Sequence, residues 1–234
     1  MAVQPFVNVK AEDFKIIQPY FVGRTRDISK VNTIVLHWTA GSSVDSDIRT
    51  LKRKNYGYHF IIDKEGKINQ GSPVNKNVGH AGNSYGPNGP YTNGTSIGIS
   101  FSMRGTKGNR DFNDKQITAC KNLILDLKKS VPSLKYLTGH QWVSPGRKID
   151  PYTFPFDSFI KLPDIAGAGL ELWKTGYAPF PEKLSDCKCL EKRSNGSCKK
   201  SKGDCVGPGK ERYSERKLSN EISDLTFTSD QVTN

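Results

Sequence analysis

No run of about 18 apolar residues occurs in this chain of 234, which excludes a membrane-spanning helix. Met1 to Lys15 also lack a basic start followed by a long apolar core, so no ordinary export signal is read there. Acidic residues are in short supply. Against 35 Lys and Arg stand 23 Asp and Glu, and the formal charge of +12 favours an anionic partner: nucleic acid, membrane surface or an acidic wall polymer. Only 35% of the residues are hydrophobic, which suits one domain of roughly 150 to 180 residues plus appendages. Cysteine is sparse until late in the chain. Cys120 stands alone in a helical stretch and reads as a buried core thiol, whereas Cys187, Cys189, Cys198 and Cys205 crowd together as a separate small element.

What is present alternates between strand and helix. Val31 to His37 is short, β-branched and apolar, as a buried strand is, and it runs into the turn-forming Trp38-Thr39-Ala40-Gly41. Asp45 to Asn55 sets Ile48 and Leu51 between charges, an amphipathic helix capped by Ser43 or Asp45. Tyr56 to Asp63 and Lys67 to Gly71 flank Lys64-Glu65-Gly66 as a β-hairpin. Alternation there places Tyr58, Phe60 and Ile62 on one face and His59 and Ile61 on the other, with His59 a hydrogen-bonded neutral imidazole of the core. A Gly-, Asn- and Pro-rich loop through Gly94 contains Gly79-His80-Ala81-Gly82. Thr95 to Phe101 is a further buried strand, and Gly98 within it marks a close approach by another element.

The clearest helix is Asp114 to Val131, with Ile117, Cys120, Ile124, Leu127 and Val131 in one stripe, Asn113 as cap, Gln116 three positions on, and Pro132 as stop. Leu134 to Thr138 leads as a strand into His140, and a short helix near Phe159 finishes the core at Leu162. The expected fold is therefore α/β, a mixed central sheet flanked by helices with a Cys-rich basic C-terminal extension. Gly167-Ala168-Gly169 looks like a linker. The expected organisation is an N-terminal arm (1–30), a core domain (31–162), a linker and docking segment (163–186), a Cys-rich basic element (187–209) and a disordered tail (210–234).

Chemistry concentrates in the loop from Gly139 to Pro151, which holds His140, Lys148 and Asp150. Pro145-Gly146 and Pro151 fix turns and fold the loop back, so that His140 and Asp150 approach one point. His37 ends the first strand, and adjacent strand ends can bring it to the same point. Two imidazoles and a carboxylate suit a catalytic zinc that keeps a fourth position for water, hence metal-assisted hydrolysis. A strand-end histidine alone is more often structural.

Ile34-Val35-Leu36-His37-Trp38-Thr39-Ala40-Gly41, Gly57-Tyr58-His59-Phe60-Ile61-Ile62, His80-Ala81, Ser96-Ile97-Gly98-Ile99, and Gly139-His140 through Lys148-Ile149-Asp150-Pro151 resemble the zinc-dependent N-acetylmuramoyl-L-alanine amidases. That family includes phage lysozyme-type amidases, bacterial wall-turnover amidases and peptidoglycan recognition proteins. The resemblance covers roughly residues 30 to 162. It implies His37, His140 and Asp150 as zinc ligands, Lys148 as the cation that stabilises the oxyanion, and Tyr58 as the hydroxyl that orients water or bonds the intermediate. It further implies His80 at the substrate cleft. One departure stands out: where wall-turnover members carry glutamate after Ser-Ile-Gly-Ile, this chain has Ser100, no general base at neutral pH. Ser100 with Tyr58 matches the phage-type arrangement.

The terminal cysteines follow C-x-C, eight residues, C, six residues, C, which admits either a second, structural zinc or two disulfides. Lys188, Lys192, Arg193, Lys199, Lys200 and Lys202 make that element basic, an anchor for an anionic wall polymer. The leading expectation is a phage endolysin that cleaves the amide between N-acetylmuramic acid and the L-alanine of peptidoglycan. It would reside in the host cytoplasm until lysis, or else in the virion. A wall-recycling bacterial amidase and a non-catalytic peptidoglycan-binding module are the alternatives, and nucleic acid is not expected as a partner.

Overall fold

A parallel strand buried on both faces needs apolar residues toward one layer and small or satisfied polar residues toward the other, and two strands here have that pattern. The computed structural model describes residues 23–103, 112–145 and 147–174, together with the backbone of short strands at 14–16, 188–189 and 205–206. In chain order the strands of the main body are β1 (Phe14–Ile16), β2 (Thr33–Trp38), β3 (Phe60–Ile62), β4 (Ile68–Gln70), β5 (Tyr85–Gly86), β6 (Gly89–Pro90), β7 (Ser96–Phe101), β8 (Tyr136–Gly139) and β9 (Glu171–Leu172). The helices are α1 (Val44–Arg53), α2 (Asp114–Ser130), α3 (His140–Val143), α4 (Phe156–Phe159) and α5 (Pro163–Gly167).

Seven of the strands form one sheet in the order β1-β4-β3-β7-β2-β8-β9, while β5 and β6 pair as a separate hairpin. β3 and β4 run antiparallel and the remaining pairs run parallel, so the sheet is mixed as expected. Along β7 the sequence alternates strictly. Ile97, Ile99 and Phe101 join Ile34, Leu36 and Trp38 of β2, Phe60 and Ile62 of β3 and Leu137 of β8 in one large core, closed by Cys120, Leu123, Ile124 and Leu127 of α2. The other face of β7 carries Ser96, Gly98, Ser100 and then Ser102, all small. That face leaves room for imidazoles.

The helix termini follow local chemistry. Ser43 caps α1 by accepting from the backbone N–H of Ser46 at 3.3 Å, and Asp45 and Asp47 at its start face Lys52 and Arg53 at its end, matching the helix dipole. Asn113 Oδ1 caps α2 through the Gln116 N–H at 2.9 Å. The reciprocal half of a capping box, the Asn113 N–H donating to Gln116 Oε1, is not made, and Gln116 Nε2 is buried without a partner.

Three expectations change. The hairpin begins as strand only at Phe60, so strict alternation does not reach back to Tyr58, which packs with Ile48 and Ile61 rather than with Phe60 and Ile62. The first thirty residues are more than an arm. β1 adds a strand to the sheet, and the half-buried Arg26 guanidinium donates to the carbonyls of Val74 (2.8 Å), Asn93 (2.8 Å) and Ser96 (2.7 Å). Nor does the core end at Leu162. Ile165 is fully buried, Leu170 is nearly so, β9 pairs with β8, and the Trp173 N–H donates to the Leu137 carbonyl at 2.9 Å. Residues 175–187, 190–204 and 207–234 lie outside the described residues, Cys187 and Cys198 among them, as do the side chains of Cys189 and Cys205; the backbone of Lys188–Cys189 pairs antiparallel with Cys205–Val206.

Ending the chain after Leu162 removes two core side chains, each stabilising by about 1.5–3 kcal/mol, and strips β9 from β8. Such a chain is expected to melt several degrees lower, or without cooperativity, while one ended after Lys174 melts like the full chain in scanning calorimetry. Equal midpoints for the two truncations would return residues 163–172 to a linker.

Candidate metal centre

Strand register sets up the centre. β2 is flanked by β7 and β8, with His37 opposite Ser100 and Leu36 opposite Gly139, so His140, one residue beyond Gly139, begins α3 beside His37. These are carboxyl ends of parallel strands, where open α/β sheets place their sites. The following loop returns through backbone bonds: the Lys148 N–H donates to Ser144 O at 3.0 Å, and the Gln141 N–H to Asp150 O at 2.8 Å. Asp150 is thereby brought to the two imidazoles. His37, His140 and Asp150 are all buried.

Three atoms converge there. His37 Nδ1 lies 3.0 Å from His140 Nδ1 and 3.3 Å from Asp150 Oδ2, and His140 Nδ1 lies 3.1 Å from the same oxygen. On the outer side of His140, Nε2 is 3.0 Å from the Ala81 carbonyl. A carbonyl only accepts, so the proton is on Nε2 and His140 turns a bare Nδ1 toward a carboxylate oxygen. Two acceptors facing each other in a buried site repel unless a cation lies between them. Ligand atoms of a tetrahedral ion with bonds of about 2.0 Å sit about 3.3 Å apart. The triangle has nearly those sides, and among the described residues these three form the group able to hold a metal ion.

The charges are arranged accordingly. Burial, then the neighbouring His140 and more weakly Lys148, lower His37 to about 3 against the pull of Asp150. Burial by itself would raise Asp150, whereas His140 and His37, when they carry a proton toward it, hold its carboxyl well below the usual range; with both Nδ1 atoms bare, a cation in the triangle would take that part. Tyr58 packs against His37 with ring centroids 4.9 Å apart and planes tilted by 49°. Burial chiefly, with Asp150, raises the Tyr58 hydroxyl, which stays protonated through neutral pH. Ser100 Oγ is near enough to that hydroxyl to favour its ionised form slightly but lacks hydrogen-bond geometry, and it remains buried without a partner, as does Thr138 Oγ1 on the same face. Lys148 is half-buried beside the centre.

His80 is not at an open cleft. It is 7% exposed, with Nδ1 3.0 Å from His37 Nε2 and Nε2 3.1 Å from Ser96 Oγ, so neither nitrogen is left to meet a substrate. Gly98 explains the fit: a Cβ there would come within 2.6 Å of the His80 ring, and this loop is the close neighbour that the glycine announced. His59 is buried and neutral as expected. Its Nδ1 accepts from the Gly98 N–H at 3.0 Å and its Nε2 donates to Lys76 O at 2.9 Å. Ser96, Asn93 and Arg147 were not singled out in the sequence. Asn93 Oδ1 accepts from the N–H groups of His80 (3.1 Å) and Ala81 (2.7 Å), and Arg147 donates to Asn83 O (2.9 Å) and Ser144 Oγ (2.6 Å). The legible signal for Ser96 was the alternation of small and apolar residues in β7; Asn93 and Arg147 sit in loops without a period.

A family model described as N-acetylmuramoyl-L-alanine amidase matches residues 27–153, more than half of the chain. The chain belongs to that family. It is 32% identical over 93 residues to the 1,6-anhydro-N-acetylmuramyl-L-alanine amidase AmpD of Escherichia coli (strain K12), a match that covers 40% of this chain and 50% of the relative. The N-acetylmuramyl-L-alanine amidase AmiD of E. coli, solved with anhydro-N-acetylmuramic acid-L-Ala-D-gamma-Glu-L-Lys, is similar at a TM-score of 0.51 and 27% identity over 62% of this chain and 59% of that one. The chain thus spans about half to three-fifths of these two relatives. The endolysin amidase LysCS of Clostridium intestinale URNW shares the fold at a TM-score of 0.52, with 21% identity over 68% of this chain and 96% of that one.

His59 makes the stability of this amidase-family fold depend on pH. Burial first, then Arg26, lower it to about 3, so below the ordinary imidazole value of about 6.5 the unfolded ring takes a proton that the folded one refuses. Its contribution is fully present above that value and is lost as pH falls toward 3. At equal metal content, urea unfolding of the wild type should lose on the order of 1 kcal/mol per pH unit more than His59→Asn between pH 6 and 4. Parallel slopes would show that His59 is protonated in the folded chain.

Proposed function

We propose that this chain is a zinc-dependent hydrolase that cleaves the amide between the lactyl group of N-acetylmuramic acid and the L-alanine of the peptidoglycan stem peptide. The observation that carries the reading is the triangle of His37 Nδ1, His140 Nδ1 and Asp150 Oδ2, with sides of 3.0 to 3.3 Å, in a chain of the amidase family. Two imidazoles and one carboxylate match zinc in ligand type and leave a tetrahedral position for water or substrate. When bound, zinc polarises a carbonyl and makes water a nucleophile near neutral pH.

The chain's own groups supply the rest. Lys148 brings a fixed cation to the side of His37, where the amide oxygen gains charge as its carbon becomes tetrahedral. Tyr58 remains protonated, so its hydroxyl donates a hydrogen bond to that oxygen or to the attacking water and does not act as a base. Ser100 supplies neither acid nor base at neutral pH. Burial of all three ligands keeps competing water away from the ion and strengthens each of these interactions.

For the setting, we read a lytic enzyme of a phage, held in the host cytoplasm until lysis and acting on the wall. Tyr58 with Ser100 in place of the wall-turnover glutamate supports it. The 32% identity to an E. coli anhydro-muramyl amidase supports a second reading, a wall-recycling amidase. Rates on intact wall against rates on soluble anhydro-muropeptide separate the two.

His140→Ala should lose both zinc and the release of muramoyl lactyl groups from purified wall. Lys148→Ala should keep zinc while its rate falls by roughly two to three orders of magnitude, and Tyr58→Phe should slow turnover without metal loss. Metal analysis beside the rate assay reads all three. Full zinc at this centre in His140→Ala, or an unchanged rate in Lys148→Ala, would remove the corresponding assignment.

A further inference from the structure

We propose that His80 and Ser96 are positioning residues for the metal centre, joined in a hydrogen-bond relay from the Thr92 carbonyl through Ser96 and His80 to His37 that presents a bare Nδ1 of His37 to the ion. The inference rests on the zinc reading above and adds to it the groups that prepare one ligand.

The direction of the relay follows from its one unambiguous end. The Thr92 carbonyl can only accept, and Ser96 Oγ lies 2.6 Å from it, so the single hydroxyl proton of Ser96 is committed there. Ser96 Oγ therefore accepts from His80 Nε2–H at 3.1 Å. A neutral His80 protonated on Nε2 is bare on Nδ1, and Nδ1 accepts from His37 Nε2–H at 3.0 Å. The other nitrogen of His37, Nδ1, is then the one without a proton, and it points at His140 and Asp150. Reversing any link would put two protons or two lone pairs against each other.

Position is fixed as firmly as protonation. The His80 ring lies on Gly98, where a Cβ would approach its carbon to 2.6 Å, and it meets the His37 ring edge-on at 90° with centroids 5.1 Å apart. Its backbone N–H and that of Ala81 both donate to Asn93 Oδ1. The next carbonyl, that of Ala81, takes the outer proton of His140. One dipeptide, His80-Ala81, thus orients both imidazole ligands. Partners of this kind typically contribute 10- to 100-fold in metal affinity.

The test is zinc competition against a fluorescent chelator on the full chain, taking the binding that His37→Ala abolishes as the signal of this centre. His80→Ala should weaken that binding by roughly 10- to 100-fold. His80→Asn, whose Oδ1 can accept from His37 Nε2–H in the place of Nδ1, should recover most of it. Gly98→Ala should weaken binding while leaving every donor and acceptor in the chain, and Ser96→Ala should weaken it by less than His80→Ala. Nitrogen-15 correlation spectra of the labelled histidines should show His37 protonated on Nε2 in the wild type and a mixture of tautomers in Ser96→Ala. Unchanged zinc affinity in His80→Ala with a native circular dichroism spectrum, or His37 protonated on Nδ1, overturns the relay and leaves the zinc reading standing. If the wild type has no His37-dependent zinc binding at all, the zinc reading falls and the relay with it. Should His80→Ala fail to fold, Asn at that position and the Ser96 and Gly98 variants give the same decision.

Discussion

An imidazole near the carboxyl end of a buried parallel strand must find a partner for each of its nitrogens, and much of this molecule is arranged to supply them to His37. The ring lies at 0% exposure between β7 and β8. It cannot reach water, and an unpaired nitrogen there would cost about 1–3 kcal/mol. One nitrogen is met by His80. The other is met by two groups that are themselves short of protons, His140 Nδ1 and Asp150 Oδ2. Such an arrangement is costly as bare protein and favourable around a divalent cation, so an ion bound there would stabilise the fold.

The loop from residue 79 to residue 83 carries more of this coupling than its composition suggests. Its carbonyls at Ala81 and Asn83 accept from His140, Ser144 and Arg147, and its N–H groups at His80 and Ala81 are held by Asn93. Arg26 draws the same region together from the N-terminal side through the carbonyls of Asn93 and Ser96. A Gly-rich segment with no periodicity is thereby held in place by hydrogen bonds to the elements around it. It has the backbone freedom to follow the imidazoles, and side chains from three separate stretches remove that freedom once it is in place.

The sheet was legible because its strands carry their environment in their order of residues. Ser96-Ile97-Gly98-Ile99-Ser100-Phe101 separates an apolar face from a small one, and Gly98 announced a close neighbour without naming it. The joint placement of His37, His140 and Asp150 was readable from two strand ends and a proline-bounded loop. Register was not: that Leu36 lies opposite Gly139 depends on how β2 and β8 dock. Tyr58 was set on the wrong face because alternation holds only within a strand, and β3 starts two residues later. His80 was placed in a cleft by resemblance, since nothing local to Gly79-His80-Ala81-Gly82 tells a buried relay from a substrate contact. The boundary at 162 failed because α5 opens on Pro163 and is followed by Ala168-Gly169, all marks of a linker, while β9 is too short to register as a strand.

Charge distribution bears on the proposed attraction to an anionic wall. Read as a local cluster, residues 187–209 hold six Lys and Arg against Glu191 and Asp204, which suggested a basic anchor. The last sixty residues as a whole are nearly balanced, with 11 basic and 9 acidic groups, whereas residues 1–174 hold 24 basic and 14 acidic. Beyond a Debye length of about 8 Å at physiological salt, a polymer senses summed charge more than any single run. Most of the long-range attraction therefore belongs to the stretch that carries the catalytic fold. The cysteine-rich element can add contact at short range, where its six cations act before their neighbours of opposite sign average them out. Under the proposed wall reading, capture would therefore rest on the stretch that carries the metal centre, with a net of ten positive charges, more than on the extension, with a net of two.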